Sequence, residues 1–345
     1  MIVKDTGKEQ FQTRLDYMDL FRGLGIILMI MGHIGFGDTF DFFIHAFHMP
    51  LFFFASGFFF SKKSSDQLKT VDYIKRKCKT LIVPYCFFGL FHFLILCITQ
   101  RTGKVWKSLV HLLFINTTAL PIAGALWFLT AIFFTNVIYF LLDRYISDNR
   151  LRTVLIIILS LFGNIAPKIL PFRLPYALDI SFVGIGLFHI AYTLKQHMEN
   201  KHIGKMFKLN KAIWLISAIL VTVLIFVNGY VNMRTGLYAI IPLFWVNAIG
   251  ACIVGINLSE YLEEFKINGK SLPLIQFLKR IGKNSIVYLC LNQIVLIVIR
   301  NMLEPFGIPR GFLQIAILIL GLVVLYVCDL LINGTKLRVL IGKSN

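Results

Sequence analysis

The sequence predicts an all-α integral membrane protein, a polytopic bundle of about ten transmembrane helices. Of its 345 residues, 57% are hydrophobic, only 15% are charged, and 33 are phenylalanine. The apolar residues fall in runs of roughly 17 to 22 residues, long enough to cross a hydrocarbon core about 30 Å thick. The net charge of +18 is dispersed between these runs, so it reports membrane orientation and does not indicate a nucleic-acid partner.

Ten apolar runs define the candidate helices. In chain order they cover residues 20–36, 42–60, 81–99, 122–142, 153–166, 176–194, 212–228, 237–258, 284–303 and 312–332. The fifth run is short for a full crossing. A further apolar stretch at 108–118 is interrupted by Asn116 and Pro121, so we interpret it as interfacial or re-entrant.

Lysine and arginine fix the predicted orientation. With the N-terminus in the cytoplasm, the cytoplasmic segments contain 26 of the 35 basic residues and the opposite loops contain 7. Because basic residues accumulate in cytoplasmic loops, both termini are predicted to be cytoplasmic. The chain is then one membrane-embedded domain over 1–345, with an N-terminal segment (1–19), a bundle (20–332) and a tail (333–345).

The most basic loop is SKKSSDQLKTVDYIKRKCK, residues 61–79. Two interpretations of its charges remain open. The charges set the topology and contact anionic lipid, or Arg76 and Lys79, one helical turn apart, bind the phosphates of an anionic donor. The sequence shows no glycine-rich phosphate loop and no internal repeat.

Ionisable side chains inside the first run are candidate functional residues, because such groups cost at least a few kcal/mol in a membrane unless paired or hydrated. Asp19 and Arg22 share one helical face and are predicted to pair. His33 follows Arg22 by eleven residues, about 16 Å along the helix and on nearly the same face. Arg22 and His33 are therefore predicted to line one polar seam.

The second run contributes His45 and His48, three residues apart, with Pro50 and Gly57 permitting a bend or close packing. A short connecting loop places this pair at the depth of His33. Histidine transfers protons near neutral pH, whereas an HxxH spacing alone is weak evidence for a metal, and no metal is expected. A hydrogen bond to a backbone carbonyl is the alternative role, favoured for His45.

Four segments resemble the membrane-bound acyltransferase family 3, especially its branch of sugar O-acetyltransferases related to fucose 4-O-acetylases. They are RLDYMDLFRGLGIILMIMGH, IHAFHMPLFFFASGFFF, YIKRKCKTLIVPY and IGKNSIVYLCLNQIVL. The first contains an Arg-x10-His spacing, from Arg22 to His33, and the second contains a His-Met-Pro-Leu-Phe-Phe-Phe run. The resemblance extends over most of the chain.

The resemblance implies an enzyme of a bacterial plasma membrane. Its donor would be cytoplasmic acetyl-CoA, and its acceptor a hydroxyl of a cell-surface polysaccharide or of a lipid-linked precursor. The implied partners are therefore acetyl-CoA, a glycan or glycolipid and the bilayer, with no nucleic acid; self-association is left open. His33 would transfer the proton, with Arg22 as its motif partner. Asp19, which pairs with Arg22, completes the expected catalytic group with His48, which would orient the acceptor or polarise the thioester.

The remaining expected site residues bind donor or acceptor. The donor ligands are expected to be Arg22, Arg76 and Lys79, and the acceptor contacts His45, Trp127 and Asn292. Asn292 stands where many relatives with a GxxSxxxYLxH pattern have histidine, and asparagine does not act as a base at neutral pH. Packing explains Trp127 equally well, and Asn136 and Asp179, two further polar residues of the runs, receive no role.

Two other functions fit the same residues. A transporter or flippase for a glycolipid or an anion also uses intramembrane Arg, Asp and His, but no inverted repeat is visible. A transferase with a different acyl donor, such as succinyl, is compatible with every residue named above.

Overall fold

The fold is taken from a computed structural model, in which residues 6–62, 66–99, 105–114, 116–117, 124–200, 209–267 and 269–343 are described. Its helices are α1 (Thr6–Ile34), α2 (Asp38–His45), α3 (His48–Phe58), α4 (Thr70–Lys77), α5 (Val83–Thr99), α6 (Val105–Leu113), α7 (Trp127–Tyr145), α8 (Asn149–Ile169), α9 (Leu178–Asn200), α10 (Lys211–Asn228), α11 (Ile241–Glu264), α12 (Pro273–Lys283), α13 (Ser285–Leu303) and α14 (Arg310–Gly334). Two short hairpins pair β1 (Val231–Asn232) with β2 (Leu237–Tyr238) and β3 (Lys266–Ile267) with β4 (Lys270–Ser271). A π-helical turn (Cys78–Ile82) joins α4 to α5, and 3-10 turns lie at Pro175–Ala177, Glu304–Phe306 and Lys336–Ile341.

The prediction of an all-α, polytopic membrane bundle is confirmed. Within the described residues, nine helices are long and apolar enough to span a membrane by length and composition. Large apolar side chains remain exposed on the outside of the bundle, for example along α10. Such a surface suits contact with lipid, where apolar side chains need no covering protein layer.

The second predicted run, 42–60, is divided into two short helices, so it does not count among the nine. α2 ends at His45 and α3 begins at His48. Pro50 explains the division, because a proline ring clashes with the carbonyl four residues earlier and is tolerated only in the first turn of a helix. The helix therefore restarts just before Pro50, and the two histidines lie on either side of the break.

The fifth run, predicted to be short, belongs to a helix of 21 residues, α8. The side chain of Asp148 caps its start by accepting from the backbone N–H of Arg150 at 2.7 Å. A cap of this kind stabilises the first turn by satisfying an otherwise unpaired donor. The polar residues Asn149, Arg150 and Arg152 are thus part of the helix, and the apolar run alone underestimated its length.

The third predicted run starts earlier than its apolar residues indicate. α4, the π-helical turn and α5 form one continuous segment, Thr70–Thr99, because lysine and arginine are good helix formers that extend the segment into the polar loop. The stretch at 108–118 is described only in part. Its described helix, α6, has nine residues, which is too short to span a membrane and agrees with the interfacial interpretation.

Helix α12 was not predicted, because its alternating charged and apolar residues contain no long apolar run. It packs against α1 at two glycines. A Cβ atom on Gly282 would collide with the carbonyl oxygen of Asp19, and one on Gly23 would collide with that of Leu278. The backbones of the two helices are therefore in direct contact near Asp19 and Gly23 of α1.

We expect Gly282→Ala to destabilise the protein by about 1–3 kcal/mol, because the added methyl group forces α1 and α12 apart. Thermal unfolding in detergent micelles measures the change. Gly311→Ala is the matched control, since no atom lies within 4 Å of the position that its methyl group would take. Equal unfolding temperatures for the two variants would contradict the close contact.

Candidate active site

Two cavities lie between the helices and share one wall residue. The inner cavity, on the side predicted to be cytoplasmic, has a volume of about 600 Å³, and its polar lining residues are Arg22, Ser56, Ser61, Tyr73, Arg76, Lys77, Thr80, Asn136 and Ser285. The outer cavity has a volume of about 240 Å³, and its polar or aromatic lining residues are His33, Asp41, His45, His48, Trp127, Asn232, Arg234 and Gln293. Leu289 lines both cavities.

One face of α1 contributes to both cavities. Arg22 and Ile26 line the inner cavity, and Met29 and His33 line the outer one. These positions recur at helical spacing on one side of α1. The predicted shared face is therefore present, but apolar side chains occupy its middle, so Arg22 and His33 belong to different cavities.

Two hydrogen-bond partners hold the side chain of Arg22 at the wall of the inner cavity. Its Nη1 donates to Asp19 Oδ1 at 3.3 Å, forming the pair that the sequence predicted, and its Nη2 donates to Ser285 Oγ at 2.9 Å. The guanidinium also lies 5.5 Å from the centre of the Phe59 ring. These contacts orient the side chain while leaving its charge only partly compensated.

The basic loop contributes Arg76 and Lys77 to the inner cavity, and Lys79 is not among the lining residues. The Lys79 carbonyl instead packs against the chain at Gly342, where a Cβ atom would stand 2.5 Å from it. Lys77 Nζ donates to Asn136 Oδ1 at 2.7 Å, which gives Asn136 the role that the sequence left open. Helical spacing relates the four polar lining residues of this segment, Tyr73, Arg76, Lys77 and Thr80. The prediction considered only the pair Arg76 and Lys79 and so overlooked this pattern.

The inner cavity is cationic. Arg22, Arg76 and Lys77 line it, and no aspartate or glutamate is present among its described lining residues. Arg22 pairs with Asp19, which lies outside the lining, whereas Lys77 contacts the neutral amide of Asn136, and a partly buried charge without a carboxylate partner is costly. The cavity is therefore suited to a ligand that brings its own negative charges, such as phosphates.

His33 and Asn292 form the central hydrogen bond of the outer cavity, at 2.6 Å between Nδ1 and Oδ1. The Asn292 amide nitrogen donates to the carbonyls of Tyr288 and Leu289, at 3.0 and 2.7 Å. Since those carbonyls only accept, Oδ1 is the atom turned to His33, and His33 Nδ1 must carry the proton. The neutral ring then keeps its lone pair on Nε2, as a proton acceptor requires.

Asn292 is placed behind His33 and not in the cavity wall. It is fully buried and is not among the described lining residues, whereas His33 is exposed to the cavity. Asn292, predicted to contact the acceptor, instead contacts His33 and the backbone of its own helix. Trp127 does line the outer cavity and is 4% exposed.

His45 and His48 both line the outer cavity, with ring centres 4.9 Å apart. Each Nδ1 donates to a backbone carbonyl at 2.8 Å, His45 to Asp41 and His48 to Ile44, so the alternative role considered for histidine applies to both. Asp41 also accepts from Tyr230 Oη at 3.1 Å. In the part of the chain that the structure describes, no group of three or more His, Cys, Asp or Glu side chains is arranged to hold a metal ion.

Arg234 is a lining residue of the outer cavity that the sequence analysis missed. It belongs to the loop between β1 and β2, and its Nε donates to the Thr117 carbonyl at 3.0 Å. Burial lowers its pKa, although a guanidinium still keeps its proton. The available signal was its position, since Arg234 is the one basic residue of a loop predicted to face away from the cytoplasm.

Asp179 has a structural role at the base of this loop. Its carboxylate pairs with Arg173 at 2.6 Å, and Arg173 Nη1 donates to the backbone carbonyl of Arg234 at 3.1 Å. The buried ion pair therefore fixes the backbone from which Arg234 extends. Asp179 is not among the described residues that line either cavity.

One protein-family model matches the sequence over nearly its whole length. The acyltransferase 3 model, described as an acyltransferase domain, matches residues 15–332. The matched region contains every lining residue of both cavities. No curated protein and no solved structure matches the chain. Because the family model covers nearly the whole sequence, the chain belongs to the acyltransferase 3 family.

Proposed function

We propose that this membrane acyltransferase transfers an acetyl group from cytoplasmic acetyl-CoA to a hydroxyl of a cell-surface polysaccharide or its lipid-linked precursor, in the plasma membrane. The observation that carries the proposal is the pair of cavities meeting at Leu289. One cavity contains cations suited to a phosphate-bearing donor, and the other contains His33 with its acceptor nitrogen free. Donor and acceptor would approach from opposite sides and react near this shared residue.

The donor would occupy the inner cavity. Arg22, Arg76 and Lys77 would hold the phosphates of CoA through charge-assisted hydrogen bonds. The pantetheine arm would extend along the apolar wall formed by Ile26, Phe52 and Leu289, so that the thioester reaches the outer cavity. A volume of about 600 Å³ lies within the range of cavities that hold cofactor-sized ligands.

The reaction would be a direct transfer. His33 Nε2 accepts the proton of the acceptor hydroxyl while the hydroxyl oxygen attacks the thioester carbonyl. The new carbon–oxygen bond forms, the carbon–sulfur bond breaks, and the proton passes from His33 to the departing CoA thiolate. His48 and Trp127 would contact the acceptor from the opposite wall of the outer cavity.

Two alternatives give different measurements. A transferase that uses another acyl donor would leave a different mass increment on the acceptor. A transporter would move glycolipid or anion across the bilayer without acyl transfer, an interpretation that membership of an acyltransferase family and the dividing side chain of Leu289 both disfavour.

We expect His33→Ala to lower kcat by about a hundred- to ten-thousand-fold, the usual contribution of a general base, while acetyl-CoA still binds. The measurement is acceptor-dependent release of CoA thiol by purified protein in proteoliposomes supplied with acetyl-CoA and a glycolipid extract of bacterial envelopes. His197→Ala, an exposed histidine on α9 outside both cavities, is the control. Retention of more than a tenth of the rate in His33→Ala would rule out the assigned role.

We expect Lys77→Ala and Arg76→Ala each to weaken acetyl-CoA binding by roughly 10- to 100-fold, because a charge-assisted contact contributes about 1.5–3 kcal/mol. Lys79→Ala removes the same charge two residues away and should leave the affinity within a factor of about three. Isothermal titration in detergent measures all three. Equal effects of Lys77→Ala and Lys79→Ala would mean that the loop acts through overall charge alone.

We expect Asn292→Leu to lower kcat by roughly 10- to 100-fold, because the His33 ring loses the acceptor that orients it. The Michaelis constant for acetyl-CoA should stay unchanged, since the inner cavity is intact. Asn292→Asp retains an oxygen that accepts from His33 Nδ1 and should recover part of the rate. A change in donor affinity, or no recovery with aspartate, would assign Asn292 a general packing role.

A further inference from the structure

The outer cavity contains a small cradle of hydrogen-bond donors over Gly124. Arg234 Nη1 and Gln293 Nε2 each lie 3.0 Å from the point where a Cβ atom of residue 124 would stand, and Gln293 Oε1 lies 3.1 Å from it. The two nitrogens are therefore at most about 6 Å apart, a spacing at which one carboxylate or phosphoryl group accepts hydrogen bonds from both. Because Gly124 has no side chain, both nitrogens can lie close to its backbone at the cavity wall.

The orientation of both donors is fixed by other contacts. Gln293 Oε1 accepts from the backbone N–H of Gly124 at 2.6 Å, which turns the Nε2 hydrogens away from that bond and toward the cavity. Arg234 is held through its Nε on the Thr117 carbonyl and through its own backbone on Arg173. A preorganised pair of donors binds an anion without first having to be ordered.

The charge of Arg234 has no carboxylate partner among the described residues. The cavity does contain Asp41, but its carboxylate oxygens face His45 at 3.2 Å and Tyr230 at 3.1 Å. The buried Arg152, by contrast, is paired with Asp143 at 2.7 Å. A partly buried guanidinium without a carboxylate partner, beside a second donor, is the arrangement that a bound anion completes.

We propose that the cradle formed by Gly124, Arg234 and Gln293 binds an anionic group of the acceptor, a carboxylate or a phosphate, and so selects acidic glycans or sugar phosphates over neutral sugars. The inference rests on the proposed acyl transfer, because it concerns the acceptor of that reaction. The cradle and His33 line the same cavity of about 240 Å³. A sugar ring anchored by its anionic group at the cradle presents a neighbouring hydroxyl to His33.

The test uses full-length protein in proteoliposomes with radiolabelled acetyl-CoA. Glycolipids and glycans extracted from bacterial envelopes are separated by anion exchange into a neutral and an anionic fraction and supplied at equal hexose content. We expect at least about tenfold more His33-dependent label in the anionic fraction. Mild acid hydrolysis of phosphodiesters and carbodiimide reduction of carboxylates then identify which anionic group the acceptor carries.

Two variants test the cradle itself. Arg234→Gln removes the charge, and Gly124→Ala keeps the charge but places a methyl group 3.0 Å from both donor nitrogens, where it obstructs their approach to the anion. Both should lower transfer to the anionic fraction at least about tenfold and leave transfer to the neutral fraction within about threefold, while Arg234→Lys retains a larger share of the anionic activity. Matched unfolding temperatures show that the variants are folded.

The outcomes separate the two proposals. His33-dependent label chiefly in the neutral fraction, or an equal loss from both fractions in Arg234→Gln, would overturn the acceptor inference and leave acyl transfer standing. An equal loss would instead assign Arg234 to the reacting thioester. The absence of His33-dependent label from every fraction would contradict the proposed acyl transfer itself.

Discussion

Two hydrogen bonds between α1 and α13 hold both cavities in place. Arg22 donates to Ser285 at 2.9 Å on the inner side, and His33 is bound to Asn292 at 2.6 Å on the outer side. Because these helices also supply Leu289, the arrangement of donor site, dividing residue and proton acceptor depends on one helix pair. The close contact of α1 with α12, made possible by Gly23 and Gly282, fixes the inner end of that pair.

Ion pairs with carboxylates distinguish the structural charges of this bundle from the cations that line its cavities. Deep in the protein, Asp143, Asp179 and Asp329 each accept from an arginine at 2.6–2.7 Å, and these pairs lie outside the described linings of both cavities. The lining cations Lys77 and Arg234 instead contact a neutral amide and a backbone carbonyl. A partly buried charge without a carboxylate partner is costly. We therefore expect ligands to bind at Lys77 and Arg234.

Much of the fold followed from the sequence, because apolar run length and the distribution of basic residues respond directly to the bilayer. The errors arose where local chemistry competes with hydrophobicity. Pro50 divided a run that is apolar throughout, and Asp148 extended a helix beyond its apolar residues. Helix α12 was not found because its large apolar residues recur at helical spacing among charged ones and form no continuous apolar run.

The membrane class, the shared face of α1 and the choice of His33 as a candidate residue all follow from the amino-acid sequence, since helical spacing and the cost of ionisable groups in lipid act within one segment. The partners that those groups contact depend instead on how the helices pack. The packing places Asn292 behind His33. It makes Lys77, and not Lys79, a lining residue of the inner cavity. It also brings Arg234, Gln293 and Gly124 together from three separate segments. Such contacts depend on the angles and positions at which the helices pack, and the spacing of residues along the chain does not specify these.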